Sequence, residues 1–329
     1  MPMASTSGEH SSAKRKRVEE PDASLPTRDK PYFDDGNIIL AVKNSHFRVY
    51  RGVLATLSPV FSDMFALPQP TKGEILVDGC PVIQLDDSVE DWRTILSAIF
   101  PSFEYIEKFS LPMHVVETYL RLGTKYHMEE FRTQAVKRLS YEFPATLEEL
   151  DTMDNHSRIN ACASYADEIF TVINLARSHD LPRVLPWAFT AACGLLSFED
   201  IFRKTGPTQP YLSQEDQQIC VVGWRRLLKE QRLTTFAWLK AGCSRLTCKH
   251  AMQTILIDEL LSSDDPFRKV VPTKPECIAL ARWQKGWEEN LCSSCMVMAR
   301  ASHRRGRQRM WDALPSIFGL PEWAELIKP

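Results

Sequence analysis

The 329-residue chain is 44% hydrophobic and 25% charged, with 13 Gly and 21 Pro. These values exclude a wholly disordered, collagenous or disulfide-scaffold protein and leave room for two domains of roughly 100–200 residues each. With 40 Lys+Arg against 42 Asp+Glu, a formal net charge of -2, any nucleic-acid contact has to be a local patch, because broad binding needs a basic excess.

Residues 1–30 are rich in Ser, Lys, Arg, Glu and Pro and hold almost no large apolar side chain, which predicts a disordered tail with nothing to bury. The same stretch lacks the apolar run of a signal peptide. Within it, Lys14-Arg15-Lys16-Arg17 reads either as a nuclear import signal or as a solvated charge run. Order is expected from Tyr32. Asn37–Val42 has the pattern of a buried strand, and Phe47 and Val49 alternate after a Lys43-Asn44-Ser45 turn, so the two predict a hairpin. The period then becomes helical at Val53, Leu54 and Leu57. Ser58-Pro59 starts a new helix with an N-cap and a proline at its first position, and Val60, Phe61, Met64 and Phe65 share its apolar face.

A second strand section follows at Ile75–Val77 and Val82–Leu85, joined across Asp78-Gly79. Ser88 caps a helix whose Trp92, Ile95, Leu96, Ile99 and Phe100 form one stripe. Helices are predicted at about Pro112–Tyr126 and Met128–Phe143. The fold class is therefore α+β over residues 31–143, a small sheet flanked by helices. After Pro144 the strand signal disappears. Helices are predicted at Ala163–His179, Arg183–Leu196, Ser213–Gln231, His250–Ser262, Pro275–Glu289 and Ser302–Leu314, without a fixed repeat. Residues 144–329 thus read as an all-helical region of one or two subdomains. The longest uncharged stretch, Val184–Phe198, is shorter than the ~18 residues of a membrane span and predicts a buried helix.

From Phe47 to Phe65 the chain reads FRVYRGVLATLSPVFSDMF, and this run resembles the BTB (POZ) domain: an extended strand, a V-L-A helix and S-P-V-F opening the next. The resemblance covers about Phe33 to Phe143. The family's usual His is Tyr50 here, and its acidic residue at the start of the first strand, near the dimer interface in many members, is Asn37. Asp35-Gly36-Asn37, Leu67-Pro68-Gln69-Pro70, Asp78–Val82 and the Leu314–Trp323 ending are similar to BTB proteins multiplied in mushroom-forming fungi. The resemblance implies protein partners: a homodimer, a cullin scaffold of a ubiquitin ligase, or a transcription factor's assembly.

Nine cysteines, odd in number and unevenly placed, predict thiols that are free or metal-bound in a reducing compartment, the nucleus or cytoplasm. Cys292-Ser293-Ser294-Cys295 has zinc-ligand spacing, Cys243 and Cys248 could complete a tetrahedral set, and His250 is a further candidate. The looser 243/248 spacing and the ordinary use of buried cysteine as core filler weigh the other way. A redox role for this C-x-x-C lacks a strand-helix context. Arg300, Arg304, Arg305, Arg307 and Arg309 surround His303; the preferred reading is a solvated helix face, with phosphate contact as the alternative. Trp187, Trp224, Trp238, Trp283, Trp287, Trp311 and Trp323 read as core filling between helices rather than partner anchors. No phosphate loop, nucleophile elbow or metalloprotease motif occurs. The expectation is an interaction protein, not an enzyme, without a cofactor unless structural zinc. The competing reading is a zinc-supported nuclear regulator that contacts nucleic acid through Arg300–Arg309.

Overall fold

A computed structural model describes residues 26–67, 76–100, 110–153, 156–160, 165–203, 210–260, 270–271, 274–275 and 278–328. The basic cluster Lys14–Arg17 lies outside them. Strand β1 (Thr27–Tyr32) begins ahead of the expected Tyr32. Its sequence, TRDKPY, has no apolar alternation to announce it. Polar contacts hold it instead: Arg93 Nη2 donates to Asp29 Oδ2 at 2.5 Å, and Tyr32 donates to Asp78.

The expected hairpin forms as β2 (Ile38–Val42) and β3 (Ser45–Val49), antiparallel from Ile38↔Val49 to Val42↔Ser45. Every residue of β2 is buried, which suits an unbroken apolar run in a central strand. Strand β4 (Leu76–Val77) turns through Asp78 (φ +50) and Gly79 (φ +75) into β5 (Cys80–Leu85). A two-residue turn with both φ positive matches strand twist, and Asp-Gly supplies it. β1 runs parallel to β3 and β5 parallel to β2, giving the order β1-β3-β2-β5-β4. The described residues of 26–51 and 76–93 make one compact unit around this sheet; those of 52–67 and 94–328 make a second, mostly helical. The class is α+β.

The first helices are α1 (Arg51–Leu57), α2 (Pro59–Ala66) and α3 (Val89–Ile99). Ser58 is buried and caps α2: its Oγ accepts from the Phe61 amide at 3.2 Å and donates to the Tyr126 carbonyl at 2.5 Å. Phe61 is fully buried and stacks on Tyr126 at 5.1 Å. Ser58→Ala removes the cap and the hydroxyl donor of the Tyr126 carbonyl, so urea titration should show a loss of about 2 kcal/mol. A loss below ~0.5 kcal/mol, the floor for a lost cap, would mean the cap is not formed.

Helices α4 (Met113–Lys125) and α5 (Glu129–Glu142) approach tightly at Gly123, where a Cβ would lie 2.8 Å from the Arg132 amide nitrogen. Between α3 and α4 the short β6 (Leu111–Pro112) pairs in parallel with β7 (Ile159–Asn160). Beyond α5 come α6 (Leu147–Thr152), α7 (Tyr165–Ser178), α8 (Leu185–Leu195), α9 (Phe198–Phe202), α10 (Gln214–Leu233) and α11 (Leu246–Leu260). A two-residue pair, β8 (Val270–Val271) and β9 (Lys274–Pro275), precedes α12 (Ser293–Ile317) and α13 (Trp323–Leu326). The region after Pro144 is therefore helical but not free of strands. As expected of a helix apolar on all sides, α8 buries every residue from Leu185 to Cys193.

Two helix predictions are corrected. No α-helix spans Pro275–Glu289 among the described residues; Ile278–Leu280 and Lys285–Glu288 are single 3₁₀ turns. Trp283 and Trp287 have helical spacing, but they stand edge-on at 5.5 Å around His303, and Trp283 Nε1 is tied to Glu288 at 2.8 Å. Ring packing overrides the local period. The other correction is α12, which begins at Ser293 rather than Ser302. At Gly306 it passes so close to the chain at Thr234 that a Cβ would fall 2.1 Å from that carbonyl oxygen.

Candidate metal centre

Cys248 lies in the first turn of α11 (Leu246–Leu260), with Cys243 just before that helix; Cys292 is the N-cap of α12 and Cys295 lies in its first turn. The fold thus brings two helix N-termini to one place. The Sγ atoms of Cys243, Cys248, Cys292 and Cys295 all lie within 4.8 Å of one another. Cys248 and Cys295 are buried, the other two half-buried. All four adjoin a core of Phe236, Trp238, Met252, Ile255, Trp287 and Ala299. The four cysteines named from their spacing are thus the four that the fold brings together. The 243/248 spacing is loose in sequence because the chain must turn into α11 between the two, and the turn returns both sulfurs to one point.

Backbone amides point at the sulfurs, and the thiols shift one another in opposite directions. The Cys292 amide donates to Cys248 Sγ at 3.1 Å and the Arg245 amide to Cys243 Sγ at 3.4 Å. The Cys295 amide, helped by the Cys295 and Cys248 thiols, pulls the Cys292 thiol down to about 7. Its hydrogen bond with Cys243, together with burial, pushes the Cys295 thiol up to about 12. The Cys292 amide pulls Cys248 down, but burial and the neighbouring Cys292 and Cys243 outweigh it and leave that thiol raised. Four sulfurs, three of them facing amide protons, can hold one soft cation. His250 is exposed and is not part of the group.

The arginine run is less free than its sequence implies. Arg307 grips Asp151 with two bonds of 2.9 and 2.8 Å and also donates to the Leu280 carbonyl. Arg300 pairs with Glu288. Burial would raise the Asp151 carboxyl, but Arg307 and Arg282 together hold it below its ordinary value. Arg304, Arg305 and Arg309 are exposed. Nothing in the local sequence marks Asp151 as the partner, since it lies 156 residues away. His303 is buried rather than part of a basic face: its Nε2–H donates to the Ala281 carbonyl at 2.9 Å and its Nδ1 accepts from Trp238 Nε1 at 3.3 Å. Burial holds its pKa below the ordinary value. The tryptophans behave as core: Trp187, Trp238, Trp287 and Trp311 are buried, while Trp224, Trp283 and Trp323 are partly so.

At the two positions where the chain departs from the pattern it resembles, both side chains are engaged. Tyr50 donates to Asp35 Oδ1 at 2.6 Å and stacks on Phe33 at 5.0 Å. Asn37 Oδ1 accepts the Arg51 amide at 2.8 Å, at the start of α1 (Arg51–Leu57). Among the described residues no helix is long and apolar enough to cross a membrane. Residues 31–142 match the family model of the BTB/POZ domain. No curated protein and no solved structure matches the chain.

Proposed function

On the premise that residues 31–142 are a BTB domain, a protein–protein interaction module, we propose that this chain is an adaptor. The domain docks a protein partner, and residues 144–329 present a second surface. The domain match is the observation that carries this reading. Among partners of BTB domains we favour a cullin scaffold, because an adaptor needs one docking domain and one further recognition region, and the chain has both. Docking another protein is preferred to self-association because neutral Asn37 stands where an acidic residue serves many BTB dimers. Its carbonyl is already taken by the Arg51 amide. The reading assigns no reaction to the chain and places its action in the nucleus or cytoplasm. The Asp35–Asn37, Leu67–Pro70 and Asp78–Val82 motifs within the domain, with the Leu314–Trp323 ending outside it, support a likeness to the BTB proteins expanded in mushroom-forming fungi.

The test uses the full chain. Light scattering of the chain with a purified cullin scaffold is expected to give a complex of one chain per scaffold, and dilution of the chain alone to give a monomer. A concentration-dependent dimer that ignores the scaffold would replace the adaptor with a homodimer. A chain that neither captures the scaffold nor self-associates would remove the reading altogether.

With two of the five arginines, Arg300 and Arg307, committed to intramolecular ion pairs, nucleic-acid binding through this run would rest on three exposed side chains. The adaptor reading is preferred for that reason.

A further inference from the structure

We propose that Cys243, Cys248, Cys292 and Cys295 together bind one zinc ion, and that the site is structural: it pins the start of α11 to the start of α12. The inference is independent of the adaptor reading. Tetrahedral coordination with Zn–S bonds of about 2.3 Å places the four sulfurs about 3.8 Å apart. Here all four are already within 4.8 Å of one another, so binding needs side-chain rotation and no rearrangement of the helices.

The donor set decides the metal. Four thiolates are a soft set without a carboxylate, so magnesium and calcium are excluded and zinc or iron remain. It also decides the role. A catalytic zinc keeps one position for water or substrate, whereas four protein sulfurs close the sphere. Cys248 and Cys295 are buried in the core that holds Trp238 and Trp287, and only Cys243 and Cys292 reach the surface.

A zinc tetrathiolate carries two negative charges, which would be costly beside an apolar core unless something offset them. The fold provides the offset. Both cysteine pairs sit at the positive ends of helices, α11 of 15 residues and α12 of 25, where free amide N–H groups and the helix dipoles favour anions. The amides of Cys292 and Arg245 already point at two of the sulfurs, the outer-shell contacts that orient metal ligands. A cluster of cysteines present only as core filler has no use for these donors.

The segments joined are distant in sequence, Cys248 and Cys292 lying 44 residues apart. Among the described residues between the end of α11 and Cys292, secondary structure is limited to the two-residue pair β8–β9 and two 3₁₀ turns. Binding releases the thiol protons and closes this loop in the folded state only, which couples metal to folding.

The experiment measures zinc and iron by elemental analysis in the full chain, purified under reducing conditions without a polyhistidine tag. About one zinc per chain is expected, falling below about a tenth in Cys292→Ser and Cys295→Ser, while Cys193→Ser and Cys220→Ser, buried cysteines outside the group, keep it. Should the ligand variants fail to fold, cobalt exchange into the wild-type chain decides: the intense visible bands of a tetrahedral tetrathiolate are expected. Folded wild-type protein with neither zinc nor the cobalt spectrum overturns the proposal. So does stoichiometric iron, or a disulfide among the four.

Discussion

Trp311→Ala is expected to lower the free energy of unfolding by about 3–5 kcal/mol, the range for truncating a large buried aromatic. Trp311 is 2% exposed. It lies flat on Trp323 with ring centroids 5.5 Å apart and an interplanar angle of 2°, and tilts against Trp187 at 5.7 Å. Its indole N–H donates to the Ala145 carbonyl at 3.2 Å in a buried setting, so truncation leaves that acceptor without its indole donor as well as opening a cavity, and each adds to the cost. Trp311→Phe keeps most of the ring volume and loses the donor, which separates the two contributions. The measurement is the urea midpoint of both variants at unchanged slope. If Trp311→Ala moved stability by less than ~1 kcal/mol, well under the range for a core aromatic, Trp311 would not be the centre of this stack.

Glu168→Gln is expected to stabilise the protein above neutral pH and to do nothing at low pH. Burial, reinforced by the nearby Glu142 carboxylate, raises the Glu168 pKa from 4.5 to about 7. Between these two values the folded chain holds a proton that the unfolded chain has released, so stability falls as pH rises. The contribution is complete below 4.5 and gone above about 7; a shift of this size corresponds to about 3 kcal/mol. The amide cannot ionise. The difference between wild type and variant, followed by urea titration from pH 4 to pH 8, should therefore open across that window and stay flat outside it. His303 shifts the other way: its pKa lies below 6.5, so its contribution is present above 6.5 and is lost as pH falls beneath it. It acts alike in both proteins and cancels in the difference. A difference curve that is flat from pH 4 to pH 8 would mean that Glu168 titrates as an exposed carboxyl.

What the sequence announced and what it concealed divide by the kind of force involved. The hairpin, the Ser58 cap and the Trp92–Phe100 stripe were legible because adjacent residues carry them. β1 (Thr27–Tyr32) was not, since a strand held by Asp29, Arg93 and Asp78 has no apolar alternation. The first part of α12 (Ser293–Ile317) was hidden differently. Its inward residues run Cys295, Ala299, His303, Gly306, Met310, Leu314 and Ile317, a regular helical stripe whose first four members are small or polar and escape a search for large apolar side chains. The cysteine group was half legible. The two pairs could be named, but their meeting depends on two helix starts converging, and no sequence spacing encodes that. The Arg307–Asp151 pair, at a separation of 156 residues, was beyond any local rule.

The contact at Gly306 has a wider meaning for α12. A helix that touches another stretch of backbone with no side chain between them can neither roll nor slide without collision, so position 306 works like a detent on a shaft. It sets the phase of the whole rod, and the cysteines at one end and the indole stack at the other inherit that setting. Any bulk introduced there should make both ends fail together, although neither would have been altered itself.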